Sequence, residues 1–279
     1  MVKLELPEIE TLRRDLERDV VGRKIKSAEA VVLKSMPRHK TRKSFEDPLA
    51  GAKVTGSARV ALDLVLQLDN EHALVISLGE NGRLARTASK DKQADDTVAN
   101  ITFTQGGDLR ILDHDGTSAI HVVTDAELAE VLPEPAQIGL DLHEHPVSWI
   151  EFGQMVMSRR MPLKLLLTDG SIFVGIGDIY SNEILFDSGL RHDRWCNELS
   201  TQEIRRLYRS VVGILHDAIK YGGTSLPDRP FADLSGKAGE YADHLSVYGR
   251  AGDLSPRSRV PIQKTSFKHQ VVFFCNTQV

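Results

Sequence analysis

Cysteine is nearly absent from this chain of 279 residues, with only Cys196 and Cys275 present and far apart. Two isolated thiols support no disulfide framework, so free thiols in a reducing compartment are expected. Long apolar runs are also missing: no span suits a membrane helix, and the start lacks the charged-then-apolar pattern of a secretory signal. A cytoplasmic location away from any membrane is the expectation. There is no Gly-x-Ser-x-Gly or phosphate-loop signature. The Gly175-Ile176-Gly177 pair lacks the third glycine and the ribose-binding acid of a dinucleotide loop. Nor is there an excess of positive charge, since 35 Lys and Arg stand against 39 Asp and Glu, a formal net charge of −4.

What is present is enough apolar residue, 41% of the chain, to build the cores of about two domains. Net charge says little about where charges lie. Lys34, Arg38, Lys40, Arg42 and Lys43 follow one another without an acid. Between Ser246 and Val279, Arg250, Arg257, Arg259, Lys264 and Lys268 are opposed by Asp253 alone. These two segments are candidate phosphate-tracking surfaces, or else solvated loops.

Apolar residues at Ile9, Leu12, Leu16 and Val20 have helical spacing and predict an amphipathic helix. Ala61 to Leu68, Ala73 to Leu78, Thr97 to Phe103 and Leu109 to Leu112 read as strands, separated by Asp69-Asn70 and Gly106-Gly107 turns. Leu132-Pro133-Glu134-Pro135 reads as a boundary. Helical patterns then cover Ser148 to Met157, Leu163 to Leu167 and Thr201 to Tyr221. The last is opened by a Ser200/Glu203 capping box and closed by Gly222-Gly223.

Three stretches carry a family resemblance. They are Glu5-Leu6-Pro7-Glu8-Ile9-Glu10 near the start, Gly175-Ile176-Gly177-Asp178-Ile179-Tyr180 in the helical part with Gly222-Gly223-Thr224-Ser225 after it, and Tyr248-Gly249-Arg250 before a strand-like Val271 to Cys275. Together they resemble the formamidopyrimidine-DNA glycosylase/endonuclease VIII family along the whole chain. The resemblance implies an α+β fold in three parts. Residues 1–132 would be a β-sandwich with a leading helix, residues 133–240 a helix-two-turns-helix domain, and residues 241–279 a β-hairpin. It also implies DNA as the ligand in preference to RNA, Tyr180 among the nucleic-acid contacts, and no cofactor.

The family's chemistry rests on an N-terminal amine that attacks the sugar C1′ of a damaged nucleotide, with an adjacent glutamate moving protons. Aligned on the glutamates, the nucleophilic proline corresponds to Leu4 and the acid to Glu5. Only Met1, or Val2 after methionine removal, offers an amine, upstream of the usual place. Other family features have changed. The four zinc-binding cysteines of the finger correspond to Ser255, Ser258, Cys275 and Gln278, so no metal is expected and Val260, Ile262, Val271 and Phe273 would hold the hairpin by packing. The phosphate-holding lysine, asparagine and arginine correspond to Leu62, Asp178 and Gln270, with Asp178 also readable as a helix N-cap. The inserted methionine, arginine and phenylalanine have given way to Leu78-Gly79-Glu80-Asn81-Gly82 and Asp113-His114-Asp115-Gly116-Thr117, where acids do not offset the cost of base flipping. His143-Glu144-His145 offers two metal-type ligands without a third.

The leading expectation is a nucleic-acid-binding member of the family without glycosylase or lyase catalysis, with a larger nucleoprotein assembly as one setting for it. Two alternatives stand beside it: an active enzyme using Val2 and Glu5, and a protein-interaction module.

Overall fold

The computed structural model describes residues 4–279 and divides into two compact units. The first contains the chain up to Pro135 together with Gly222–Glu240; the second contains Ala136–Tyr221 and Tyr241–Val279. The stretch after Gly222 therefore returns to the first unit, whereas the sequence reading grouped residues 133–240 together.

In the first unit, α1 (Leu6–Asp19) begins at Glu5 with a capping box closed by Glu8, and Pro7 occupies its first turn, where a missing N–H costs nothing. Its apolar stripe, Leu6, Ile9, Leu12 and Leu16, is wholly buried; removing a leucine side chain from water contributes about 1.5–3 kcal/mol. Two four-stranded antiparallel sheets share this core. One has the order β1 (Ile25–Ala30), β6 (Thr97–Phe103), β7 (Asp108–Asp113), β5 (Gly82–Thr87), and the other β2 (Val54–Val60), β3 (Asp63–Leu68), β4 (His72–Ser77), β8 (Ala119–Thr124). The four strands legible in the sequence are β3, β4, β6 and β7, the two central pairs. Gly107, at the turn between β6 and β7, has φ +85°, and a Cβ there would meet the Thr87 carbonyl oxygen at 2.1 Å. Two short helices, α2 (Arg42–Glu46) and α3 (Leu128–Val131), complete the unit.

The second unit is helical, with α4 (Trp149–Met157), α5 (Leu163–Thr168), α6 (Asp178–Ser188) and α7 (Thr201–Lys220). Ser148 and Glu151 cap α4, and Ser200 and Glu203 cap α7, each pair as a full capping box. α6 ends where Gly189 turns left-handed at φ +71°. The chain closes with a hairpin of β9 (Gln263–Phe267) and β10 (Gln270–Phe274). Its two-residue turn, Lys268-His269, takes positive φ at both positions, the twist a tight hairpin requires.

α6 positions the hairpin. The Asn182 side chain accepts a hydrogen bond from Phe273 N at 2.7 Å and donates to Val271 O at 3.1 Å. The Glu183 carboxylate accepts from Ser246, Val247 and Tyr248 N at 2.8–3.0 Å. Burial pushes the Glu183 carboxyl up, while those three N–H groups and Arg250 pull it down. Ile262, Phe273 and Cys275 pack with Phe186 and Val247, and Val271 lies against them. Val260, expected in that packing, is instead 38% exposed, because it stands in the irregular segment before β9. No helix among the described residues is long and apolar enough to cross a membrane.

Candidate active site and nucleic-acid interface

At the start of α1, the half-buried Leu4 side chain packs against the sandwich core. Glu5 is 3% exposed. Its side chain caps α1, and one carboxylate oxygen lies 3.1 Å from the Arg229 guanidinium. Glu8 serves two backbones, accepting from Glu5 N at 3.1 Å and Thr224 N at 2.8 Å. Gly223 makes that approach possible: its φ is +81°, and a Cβ would lie 3.0 Å from Glu8 Oε1 and 3.1 Å from the Phe231 ring. The Gly-Gly-Thr-Ser segment thus serves the first unit as a clasp on α1. Val2, the candidate nucleophile, lies outside the described residues.

Beside this point a cleft of about 730 Å³ is lined by Leu4, Glu80, Arg83, His114, Asp228 and Arg229, among others. Arg83 pairs with Asp96 and Arg229 with Glu5, so both cations are neutralised. Neither Glu80 nor Asp228 has an ion-pair partner among the described residues. The cleft is left acidic, which opposes a polyanion. Asn81 and Asp115 bond to each other through their side chains, tying together the turns at 78–82 and 113–117.

In the second unit Asp178 is the first residue of α6, and Gly177, not Asp178, is its N-cap. The Asp178 carboxylate is half-exposed and stands 3.5 Å from the buried Lys164 ammonium, which donates to Ser181 Oγ at 2.7 Å. Gln270 is occupied by Thr168, with hydrogen bonds of 2.8 and 3.2 Å. Leu62, in the first unit, packs on the sandwich core. Tyr180 is fully buried, its ring 5.9 Å from that of Tyr241. A side chain with no exposed surface cannot touch nucleic acid, so the expected role of Tyr180 is corrected to core packing.

The basic segments lie in different units. Lys34, Arg38, Lys40, Arg42 and Lys43 are exposed in the first, with Arg38 paired to Glu130 at 2.7 Å and Arg42 donating to Val31 O. In the second, Arg257, Arg259, Lys264 and Lys268 are exposed. Arg257 lies over the Phe186 ring and donates to Asp187 O. Arg250 is partly enclosed, spending donors on Leu245 O, Ser246 O and Asp253.

The four positions that correspond to zinc ligands do come together. Gln278 Oε1 accepts from Cys275 N at 2.9 Å, and its amide nitrogen donates to Leu190 O at 2.9 Å. Burial raises the Cys275 thiol, but hydrogen bonds with Thr277, Ser255 and Ser258 outweigh it and bring the thiol down. One thiol, two hydroxyls and a committed amide do not fit zinc, which takes four thiolate or imidazole donors in such a site. Among the described residues no group of three or more His, Cys, Asp or Glu could hold a metal. His143 and Glu144 belong to a turn whose backbone N–H groups are bound by Asp141.

Sequence reading missed Lys164, Arg229 and Glu183. A lysine inside the Leu163 to Leu167 run was a usable signal, because a charge on an apolar face implies a buried partner.

Residues 4–119 match the formamidopyrimidine-DNA glycosylase N-terminal domain, and residues 138–229 match the H2TH domain of the same enzymes. The fold resembles that of the Lactococcus lactis Fpg in complex with abasic-site DNA, with a TM-score of 0.86, 25% identity and 97% of each chain covered. Among relatives, the formamidopyrimidine-DNA glycosylase of Moorella thermoacetica is 31% identical over 93% of both chains, and that of Pelotomaculum thermopropionicum 30% over 98% of both. The chain belongs to the formamidopyrimidine-DNA glycosylase family.

Proposed function

We propose that this chain is a DNA-binding member of the family in which base-excision and strand-cleaving chemistry has been lost. The observation that carries the reading is Leu4. It directly precedes the acid position Glu5, its nitrogen is an amide within the chain, and its side chain is packed on the core. An amide is no nucleophile at C1′, and displacing an attacking atom by even about 1 Å can cost roughly a hundredfold in rate. Glu5, bound to Arg229 and capping α1, has structural work that accounts for its presence. Asp178 and Gln270 stand where relatives hold phosphates, and both are engaged within the second unit. The exposed cations of the two basic segments are then the phosphate contacts, the protein is cytoplasmic, and a nucleoprotein assembly is a fitting setting. The finger is held without zinc.

The test is borohydride trapping on duplexes carrying abasic, 8-oxoguanine, formamidopyrimidine or oxidised-pyrimidine sites, alongside binding titrations at several salt concentrations. Expected are no covalent product and binding that weakens steeply with salt, since each neutralised phosphate releases counterions. Charge removal at Arg257, Arg259 and Lys268 should lower that slope, and Asp178→Asn should tighten binding. A trapped adduct abolished by Glu5→Gln would establish the active-enzyme reading with Val2 as nucleophile. No binding to any nucleic acid at low salt would establish the interaction module.

A further inference from the structure

In the second unit, away from the residues discussed so far, α4 and α7 border a groove of about 620 Å³ lined by Trp149, Gln202, Arg205, Arg206, Tyr208 and Arg209. Its volume is that of a site for a side chain or short segment. Three arginines fall within about one turn of α7; Arg206 acts on the Glu203 carboxylate, whereas neither Arg205 nor Arg209 has an ion-pair partner among the described residues. This is unlike α1, where Arg13, Arg14 and Arg18 are all paired within the helix. Arg205 and Arg209 stand at i and i+4, an arrangement in which like charges destabilise a helix. The charge of this Arg205/Arg209 pair is thus unpaired among the described residues, and an anionic partner would relieve it.

The chemistry of the groove narrows that partner. The Arg205 guanidinium lies 4.2 Å from the centre of the Trp149 ring, so one face of that ring already carries a cation. The Tyr208 hydroxyl is spent on Val147 O at 2.8 Å, leaving its ring as an apolar wall. Arg206 directs one donor to Ser188 O at 3.1 Å. What remains are guanidinium forks above aromatic walls, a setting that matches the planar carboxylate. Residues at i and i+4 of a helix are about 5–6 Å apart at Cβ, close to the roughly 6.6 Å between alternate residues of an extended strand.

We propose that this groove docks an acidic segment of a partner protein, with alternate Asp or Glu side chains on Arg205 and Arg209 and an apolar side chain against Trp149 and Tyr208. The surface is separate from the nucleic-acid reading above and does not depend on it.

Fluorescence anisotropy of the full chain with a short labelled peptide of alternating Glu and Leu tests the proposal. The controls are the same peptide with Gln for Glu and a single-stranded oligonucleotide of equal charge. The Glu peptide should bind and the Gln peptide should not. Arg205→Glu with Arg209→Glu should weaken peptide binding by about tenfold or more, as expected when two charge pairs are lost. The milder Arg205→Gln with Arg209→Gln, which removes the charge but keeps a polar side chain of good helix propensity, should act in the same direction with an unchanged melting temperature. Oligonucleotide binding should be the same in wild type and variants. No binding of the Glu peptide, or equal affinity in wild type and both variants, would overturn the proposal. Oligonucleotide binding that exceeds peptide binding and is lost in the same variants would assign the groove to phosphates instead.

Discussion

The beginning of α1 and the turn of the C-terminal hairpin are the two places on which the proposed loss of the family's chemistry rests, and they differ in what stands there. At the finger, Ser255, Ser258, Cys275 and Gln278 have formed a hydrogen-bonded cluster over a packed apolar base. At α1, Glu5 meets Arg229 and Glu8 meets Thr224, but the position before them is an apolar Leu4. A structural metal supplies only binding energy, which hydrogen bonds and packing can substitute. A nucleophile supplies an atom, and no amount of scaffold stands in for it.

The largest effect expected from this contrast comes from rebuilding the metal site. Ser255→Cys, Ser258→Cys and Gln278→Cys together would give four thiolates with Cys275. Elemental analysis should then find one zinc per chain, with an apparent binding free energy on the order of 10 kcal/mol and a raised melting temperature. Wild type should carry no stoichiometric zinc, and a chelator should leave its melting temperature unchanged. A triple variant without zinc would mean that the cluster no longer has the geometry of its origin.

Next in size is Glu5→Ala. If Glu5 is now a structural residue, losing the cap and leaving Arg229, a largely enclosed guanidinium, without this partner should cost about 3 kcal/mol, read by urea unfolding. An unchanged midpoint would return Glu5 to a purely chemical role and blur the contrast.

Smaller, and spread over both units, is a pH effect. Burial pushes His39, His121 and His192 down from their ordinary values. His39 Nε2 accepts from Val122 N, a bond only the neutral ring can make. For a depressed histidine the unfolded chain binds the proton more readily, so stability is full above about pH 6.5 and falls as the pH drops toward the folded value. Denaturant midpoints should therefore decline from neutral to mildly acidic pH. His121→Asn and His192→Asn should each flatten part of that decline.

Much of the scaffold was legible in the sequence. α7 was announced by its capping box and its terminal glycines, and the central strands by dense apolar residues. β1, β2, β5 and β8, the edges of the two sheets, were not read as strands. In β1 only Ile25 and Ala30 are buried, and β5 keeps Arg83 exposed. Pairing on one side thins the apolar pattern of these two, whereas β8 buries four of its six residues and was a usable signal. At the site, Glu5 was legible from its motif, but Arg229 lies 224 residues further along, and no local pattern foretells that meeting. Tyr180 was misjudged because a tyrosine in a recognition motif looks the same whether its ring faces a ligand or the core.

The return of Gly222–Glu240 to the first unit has a consequence for how the protein is made. The sandwich strands are complete once Thr124 has been synthesised, yet Thr224 and Arg229, which hold Glu8 and Glu5, follow only after the helices of the second unit. At roughly 5–20 residues per second, the nascent first unit waits on the order of 10 s for its clasp. During that interval the carboxylates at the head of α1 lack these two partners, and any factor that attends the chain on the ribosome would meet the sandwich with that end open.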